Sequence, residues 1–282
     1  MFFVCSFVAF VLRFFKHKGH KVFFTKDTRI CNKRLVNILT TLKGTHPMKK
    51  LIACLTIFVA LTVCAQAQVT DSVEKDLGFK SLFNGKNLDG WLDGNDQYEV
   101  LDDGSIRCKP TGGGNLYTKY RFANYIFRFD VKMTANANNG VGIRTELVGD
   151  PSFTAGKEIQ ILDDSGSDYT NLAPYQYHGS IYGVVPAKRG SLKPVGEWNT
   201  MEIICDGTHI MVTVNDQVIV DAKVDEITEF MDHREHPGLL KNDGHLALLG
   251  HASEVWFRNL RILPLTHFGQ AEKVLEKEKE AR

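Results

Sequence analysis

The sequence predicts an all-β protein, a two-sheet antiparallel β-sandwich of jelly-roll type. Three observations carry this. Between Phe79 and Leu263, runs of about five to seven residues alternate apolar and polar side chains, the period of a half-buried strand. Tight-turn dipeptides punctuate those runs: Asn84-Gly85, Asp89-Gly90, Asp103-Gly104, Asp206-Gly207 and Asn215-Asp216. Helical periodicity is almost missing, and no strand–helix–strand spacing occurs.

The chain has 282 residues, and the sandwich does not account for its start. Met48-Lys49-Lys50 is a short basic stretch, Leu51 to Val63 an almost unbroken apolar run, and Ala65-Gln66-Ala67 a small-x-small cleavage pattern. That order makes residues 48–67 a secretory signal peptide, too short in its apolar part for a membrane span of roughly 20 residues. Residues 1–47 then read as upstream translation, with a basic apolar anchor as the rival. Residues 68–265 form the sandwich domain and 266–282 a charged C-terminal tail, in which residues 270–282 read as a frayed helix or tail with a solvated face. The mature protein is expected outside the cytoplasm, secreted or periplasmic, with no integral membrane span. Lipidation at Cys64 is disfavoured because Val63 stands where a small residue is wanted.

Charge divides at the same place. Residues 1–50 hold 11 Lys/Arg and one Asp/Glu, while the remainder holds 23 basic and 32 acidic residues, a net of −9. An acidic mature protein argues against nucleic acid as a partner. Only Cys108 and Cys205 survive processing. An exported protein permits a bridge between them, and buried thiols are the alternative.

Within the domain, residues 69–80 are an entry segment or short helical turn. Phe83 and Trp91 anchor the turns at Asn84-Gly85 and Asp89-Gly90. Residues 98–108 read as a hairpin around Asp103-Gly104. Gly112 to Gly114 lead into a strand at Asn115-Leu116-Tyr117, so no helix follows them and they are not a phosphate loop. Residues 125–133 make a half-buried strand, with Tyr125, Phe127, Phe129, Val131 and Met133 on one face. An antiparallel meander runs from Thr200 to Asp221, one short helix is expected over 227–234, and strands at 245–249 and 255–263 close the domain.

The middle of the chain is the chemically unusual part. Three segments place polar side chains at every second position: Arg144 and Glu146; Glu158 and Gln160; His178, Ser180 and Tyr182. Successive strand residues point to opposite faces, so three such strands offer one polar face to a ligand. Several chemistries are excluded or disfavoured. No zinc spacing and no nucleophile elbow is present. A two-carboxylate glycosidase is weakly supported, because in the run Glu158 to Asp163 the middle acid is replaced by Gln160.

The ordered set LFNGKNLDGW, NGVGIR, GKEIQILDD, YHGSIYG, PVGEWN and VWFRNLRI resembles the 3-keto-disaccharide hydrolase family. The resemblance covers about Phe79 to Leu263 and implies a concanavalin-like jelly roll, secreted or periplasmic, from a family abundant in Bacteroidota. The segment Leu249 to Ser253 departs from the more polar pattern such a family would show. The implied substrates are glycosides oxidised at C3. Their ketone acidifies the C2 proton, so a base and an oxyanion stabiliser suffice to expel the C1 substituent. On this reading His178 or Glu158 is the base and Arg144 steadies the oxyanion. Glu146, Gln160, Tyr182, Asp163 and His251 hold the sugar. No cofactor is required by the sequence; a divalent cation held by Glu146, Glu158 and His178 is an alternative way to polarise the ketone. A non-catalytic glycan-binding module and an endo-glucanase are the rival functions.

Overall fold

In the computed structural model of the chain, the described residues are 72–92, 96–111 and 113–281. The chain divides into a unit Met1–Val69, which lies outside the described residues, and a unit Thr70–Arg282. The expectations for upstream translation, signal peptide and Cys64 therefore fall outside the described residues.

Twelve strands are present among those residues: β1 (Lys80–Ser81), β2 (Tyr98–Val100), β3 (Ile106–Cys108), β4 (Gly113–Phe122), β5 (Asn124–Met133), β6 (Asn138–Thr145), β7 (Lys157–Leu162), β8 (Asn199–Asp206), β9 (His209–Val214), β10 (Gln217–Lys223), β11 (Gly244–His251) and β12 (Val255–Leu265). They form two antiparallel sheets, as the turn spacing and alternation predict. The larger sheet runs β10-β9-β8-β5-β12-β3-β2, with β1 pairing the edge of β12 that β3 also uses. The smaller runs β4-β11-β6-β7. Inward side chains of both sheets, among them Phe127, Phe129, Ile203 and Phe257 from one and Leu116, Val141, Ile143 and Ile159 from the other, make one core. Cys108 and Cys205 are buried free thiols, so the second of the two cysteine readings is the one observed.

Three local expectations are corrected. Strand β5 is buried on both faces, not one. Its outer face lies under helix Gln270–Ala281, whose Ala271 and Val274 pack with Ile126, Ile204, Leu263 and Leu265. For the same reason residues 270–281 are a docked helix rather than a solvated tail. Arg128, projecting from β5, binds Glu278 of that helix, Glu74 of the helical residues 72–77 and Glu202 of β8. Residues 227–234 form bends and turns rather than a helix, because the Met231 and Asp232 amides donate to the Gly183 carbonyl instead of to carbonyls within the segment.

Candidate functional site

The outer face of the small sheet carries the site, and its floor is set by small residues. One row across the four strands reads Asn115, Leu249, Gly140, Gln160; the next reads Tyr117, Ala247, Gly142, Glu158. With Gly140, Gly142 and Ala247 in the middle of the sheet, the only large side chain in the centre of these two rows is Leu249, which leans over Gly142, and beside it a trough is left. The Glu158 side chain lies down across it. A Cβ placed on Gly140 would stand 2.0 Å from Glu158 Oε1, so only glycine lets the carboxyl occupy this position.

A cavity of about 490 Å³ opens over the trough. Asn115, Asn138, Glu158 and Gln160 line it from the strands, and Leu249, Gly250 and His251 from the end of β11. Asp150, Pro151, Ser152 and Phe153 form one wall and Tyr182 another. The wall loop exists because Asp150 caps it. Its carbonyl accepts from the backbone of Phe153, Thr154 and Ala155, and its Oδ1 accepts from the Ser152 amide at 2.8 Å. This puts Ser152 Oγ 2.6 Å from Glu158 Oε2, to which it donates. Elsewhere in the cavity Gln160 Nε2 donates to Asn138 Oδ1 at 3.1 Å, and Asn115 Nδ2 to the Tyr117 hydroxyl at 3.0 Å.

Burial raises the Glu158 pKa from 4.5 to about 7; the Ser152 hydrogen bond opposes the rise and the charge of Asp150 adds to it. A carboxyl poised there both takes and gives a proton near neutral pH.

The structure gathers four of the expected site residues in this cavity: Glu158, Gln160, Tyr182 and His251. Tyr182 arrives because residues 178–182 run beside β7. The Gln160 amide donates to the Ser180 carbonyl and the Tyr182 amide to the Glu158 carbonyl. Bridges at Ile159–Ile181 and Ile181–Val185 are what remains of the expected third strand.

The other four lie elsewhere. Between β6 and β11 the register slips: Ala247 faces Gly142 but His245 faces Thr145, so β6 carries a bulge. Arg144 sits in it with φ 51° and turns away from the trough. Its guanidinium donates to the carbonyls of Ala123 (2.8 Å) and Gly207 (2.7 Å) and to Asn124 Oδ1 (3.0 Å), at one end of the sandwich. Glu146, beyond the bulge, is held by both guanidinium nitrogens of Arg121 and by Lys241, and Arg121 lowers its pKa to about 2. Asp163 is buried as a turn cap, accepting from Ser165 and from the Asn136 amide.

His178 is also buried. Its Nδ1 accepts the Leu162 amide at 3.1 Å, so in the neutral ring the hydrogen is on Nε2, and burial lowers its pKa to about 4. A ring so held has no free basic nitrogen. Glu146, Glu158 and His178 therefore do not converge as metal ligands, and among the described residues no other group of three His, Cys, Asp or Glu does.

Sequence reasoning missed Asn115, Asn138, Asp150, Ser152 and Phe153. Of these, Asn115 had a readable signal, as the first large side chain after the glycine run. Asp150-Pro151-Ser152 reads only as a turn.

Comparison with known proteins is consistent with this frame. The model of the 3-keto-alpha-glucoside-1,2-lyase-like domain family matches residues 78–263. A 3-keto-disaccharide hydrolase of Bacteroides thetaiotaomicron is 22% identical over 225 residues, covering 66% of this chain and 78% of its own. Among solved structures, a candidate glycosyl hydrolase of Parabacteroides distasonis is 30% identical with a TM-score of 0.59, covering 66% of this chain and 99% of that one. A second from the same organism is 24% identical with a TM-score of 0.57, covering 68% and 96%.

Proposed function

We propose, from the premise that this chain belongs to the 3-keto-alpha-glucoside-1,2-lyase-like domain family, that it cleaves glycosides oxidised at C3, with Glu158 as the proton-transferring group. The observation that carries the reading is the seat of Glu158: a carboxyl laid over Gly140, held by Ser152 and pushed to about 7 in a cavity otherwise rich in neutral hydrogen-bonding groups. A ketone at C3 makes the C2 proton acidic. Ionised Glu158 removes it and the electron pair moves onto the ketone oxygen; the enolate then re-forms the ketone with a C1–C2 double bond as the C1–O bond breaks, and the leaving oxygen takes the proton from Glu158. Water then adds across that double bond, its oxygen to C1 and its proton to C2, and the net change is hydrolysis.

The amides of Asn115, Asn138 and Gln160 and the hydroxyl of Tyr182 suit neutral sugar hydroxyls and the developing enolate oxygen. Arg144 and His178 have no part in this version, since their polar atoms face other groups or the protein interior. The two relatives named for hydrolysis, one of 3-keto-disaccharides and one a candidate glycosyl hydrolase, support the substrate class. The signal-like segment at residues 48–67 supports action outside the cytoplasm.

The test is incubation with a 3-keto-glucoside while following release of the C1 substituent. The expected result is turnover that rises with pH to a plateau above about 7 and falls at least about 100-fold in Glu158→Gln. Equal turnover of the unoxidised glycoside would replace the reading with ordinary glycoside hydrolysis, and binding without turnover would make the chain a glycan-binding module.

A further inference from the structure

The wall of the cavity does not stop at Tyr182. Tyr175, in the 3-10 turn Pro174–Gln176, meets the Tyr182 ring edge to face, with centroids 5.8 Å apart and planes at 88°. Tyr182 meets Phe153 in the same way at 6.1 Å and 89°. The three rings are not equivalent. Phe153 is buried, with the Arg234 guanidinium 3.7 Å above its ring centre and the His236 ring 4.9 Å away. Tyr175 and Tyr182 stay half-exposed.

Both are fixed in place. Gln176 Oε1 accepts the Ala173 amide, closing the turn, while its Nε2 donates to the Tyr182 hydroxyl at 3.3 Å. Behind them His236 Nε2 bonds both oxygens of Asp232, and the Met231 and Asp232 amides donate to the Gly183 carbonyl. Gly183 has φ +75°, and a Cβ there would strike Asp232 and His236 at 2.6 Å, so the turn after Tyr182 is packed tightly onto this loop. Burial raises the Tyr175 pKa, Tyr182 and Asp232 add to the rise, and Arg234 opposes it.

We propose that Tyr175, with Tyr182, is a shelf for the leaving group of the substrate, and that the group it takes is a ring with an apolar face. The proposal rests on the reading of Glu158 as the reacting group: Glu158 and Tyr182 line the same cavity, so a C1 substituent that leaves on the Tyr182 side meets the aromatic pair. An edge-to-face aromatic pair that keeps exposed surface and costs little entropy to hold suits the flat, C–H-rich side of a pyranose or an aryl ring. The exposed Arg234 guanidinium supplies donors at the rim for hydroxyls on such a ring.

The experiment compares kcat/KM for three 3-keto-glucosides: a disaccharide, an aryl glucoside and the methyl glucoside. In the unaltered chain the two ring substrates are favoured over the methyl one. In Tyr175→Ala that preference falls roughly tenfold, mainly through KM, whereas Tyr175→Phe, which keeps the ring, retains most of it. Loss for the disaccharide alone assigns the shelf to sugars, and loss for the aryl substrate alone assigns it to aryl groups. An equal loss on all three substrates, or an unchanged preference, overturns the shelf. If the unaltered chain turns over none of them, the proposed reaction fails and the shelf is read by calorimetric titration with an unoxidised disaccharide and methyl glucoside. Tyr175→Ala must then weaken the disaccharide alone at least about fivefold, and equal weakening or none overturns the shelf there too.

Discussion

At the scale of single residues, Glu158 and Gly140 act as one unit. Gly140 has ordinary strand dihedrals, so alanine there strains no backbone, yet its methyl group would take the place of the Glu158 carboxylate. The carboxylate is the far end of a flexible side chain and can swing aside. Gly140→Ala is therefore expected to fold with a melting temperature close to the parent and to lose at least about 100-fold in kcat/KM, since misplacing a reacting group by about 1 Å costs that much. Circular dichroism and turnover on one sample check both halves; full activity would show that the carboxyl works from another position. The raised pKa also has a stability consequence. In the unfolded chain Glu158 releases its proton near 4.5, in the folded protein near 7. Between those values the unfolded state binds fewer protons, so this group's contribution to stability falls as pH rises through the window. Glu158→Gln removes that loss. Its melting temperature relative to the parent should be higher at pH 8 than at pH 4, and a difference that does not change with pH would contradict the raised pKa.

At the scale of elements, period-2 alternation was a sound guide only where strands are regular. It put Glu158 and Gln160 on one face of β7, where they are. It failed at Arg144 because a bulge in β6 inserts one residue and reverses every side chain beyond it, which also sends Glu146 to the rim. Bulges carry no reliable signature in a single sequence, and Ile143-Arg144-Thr145 contains no glycine to mark one. His178 failed for another reason: its ring caps the Leu162 amide, an attachment that polarity alone does not reveal. The C-terminal helix was legible as a helix but not as a docked one, because its buried stripe of Ala271, Val274 and Glu278 is short of large apolar residues. Charge adds to the packing of that stripe. Arg128, with a side chain only 10% exposed, has carboxylates from two helical segments and β8 around it. Removing Glu278, itself 6% exposed, leaves buried positive charge with one partner fewer. Glu278→Ala is expected to cost about 3–5 kcal/mol, the range for breaking a buried ion pair from one side. Urea unfolding measures it, and a loss below about 1 kcal/mol would mean that Glu74 and Glu202 suffice for Arg128.

At the scale of the whole molecule, the fold was legible from turns and alternation, whereas the site was legible only in part. The larger sheet is a scaffold whose outer face is closed by helices at one end. The smaller sheet, with glycines and an alanine in its centre, is the surface that can receive a ligand. The place of Asn138 in the cavity was hidden because it stands in the run Asn136-Ala137-Asn138-Asn139-Gly140, where asparagine and glycine ordinarily signal a turn, and Asn115 offered only its position after the glycine run. Electrostatics at this scale separates substrate classes. Residues 51–282 carry a net charge of −9, a field that repels anions and draws cations at low salt. The lining of the cavity contains no Lys or Arg; Arg234 stands at the rim over Phe153, and Arg121 is taken up by Glu146 and Asp243. A neutral ketosugar feels none of the long-range field, so its capture should not depend on screening. Raising ionic strength from about 0.05 M to about 0.5 M, which shortens the Debye length severalfold, is expected to change kcat/KM by less than about twofold. An anionic glycoside would instead gain as the repulsion is screened, by about tenfold or more in the steered limit. A salt series on one enzyme preparation therefore discriminates a neutral substrate from a uronic-acid-bearing one before the leaving group is known.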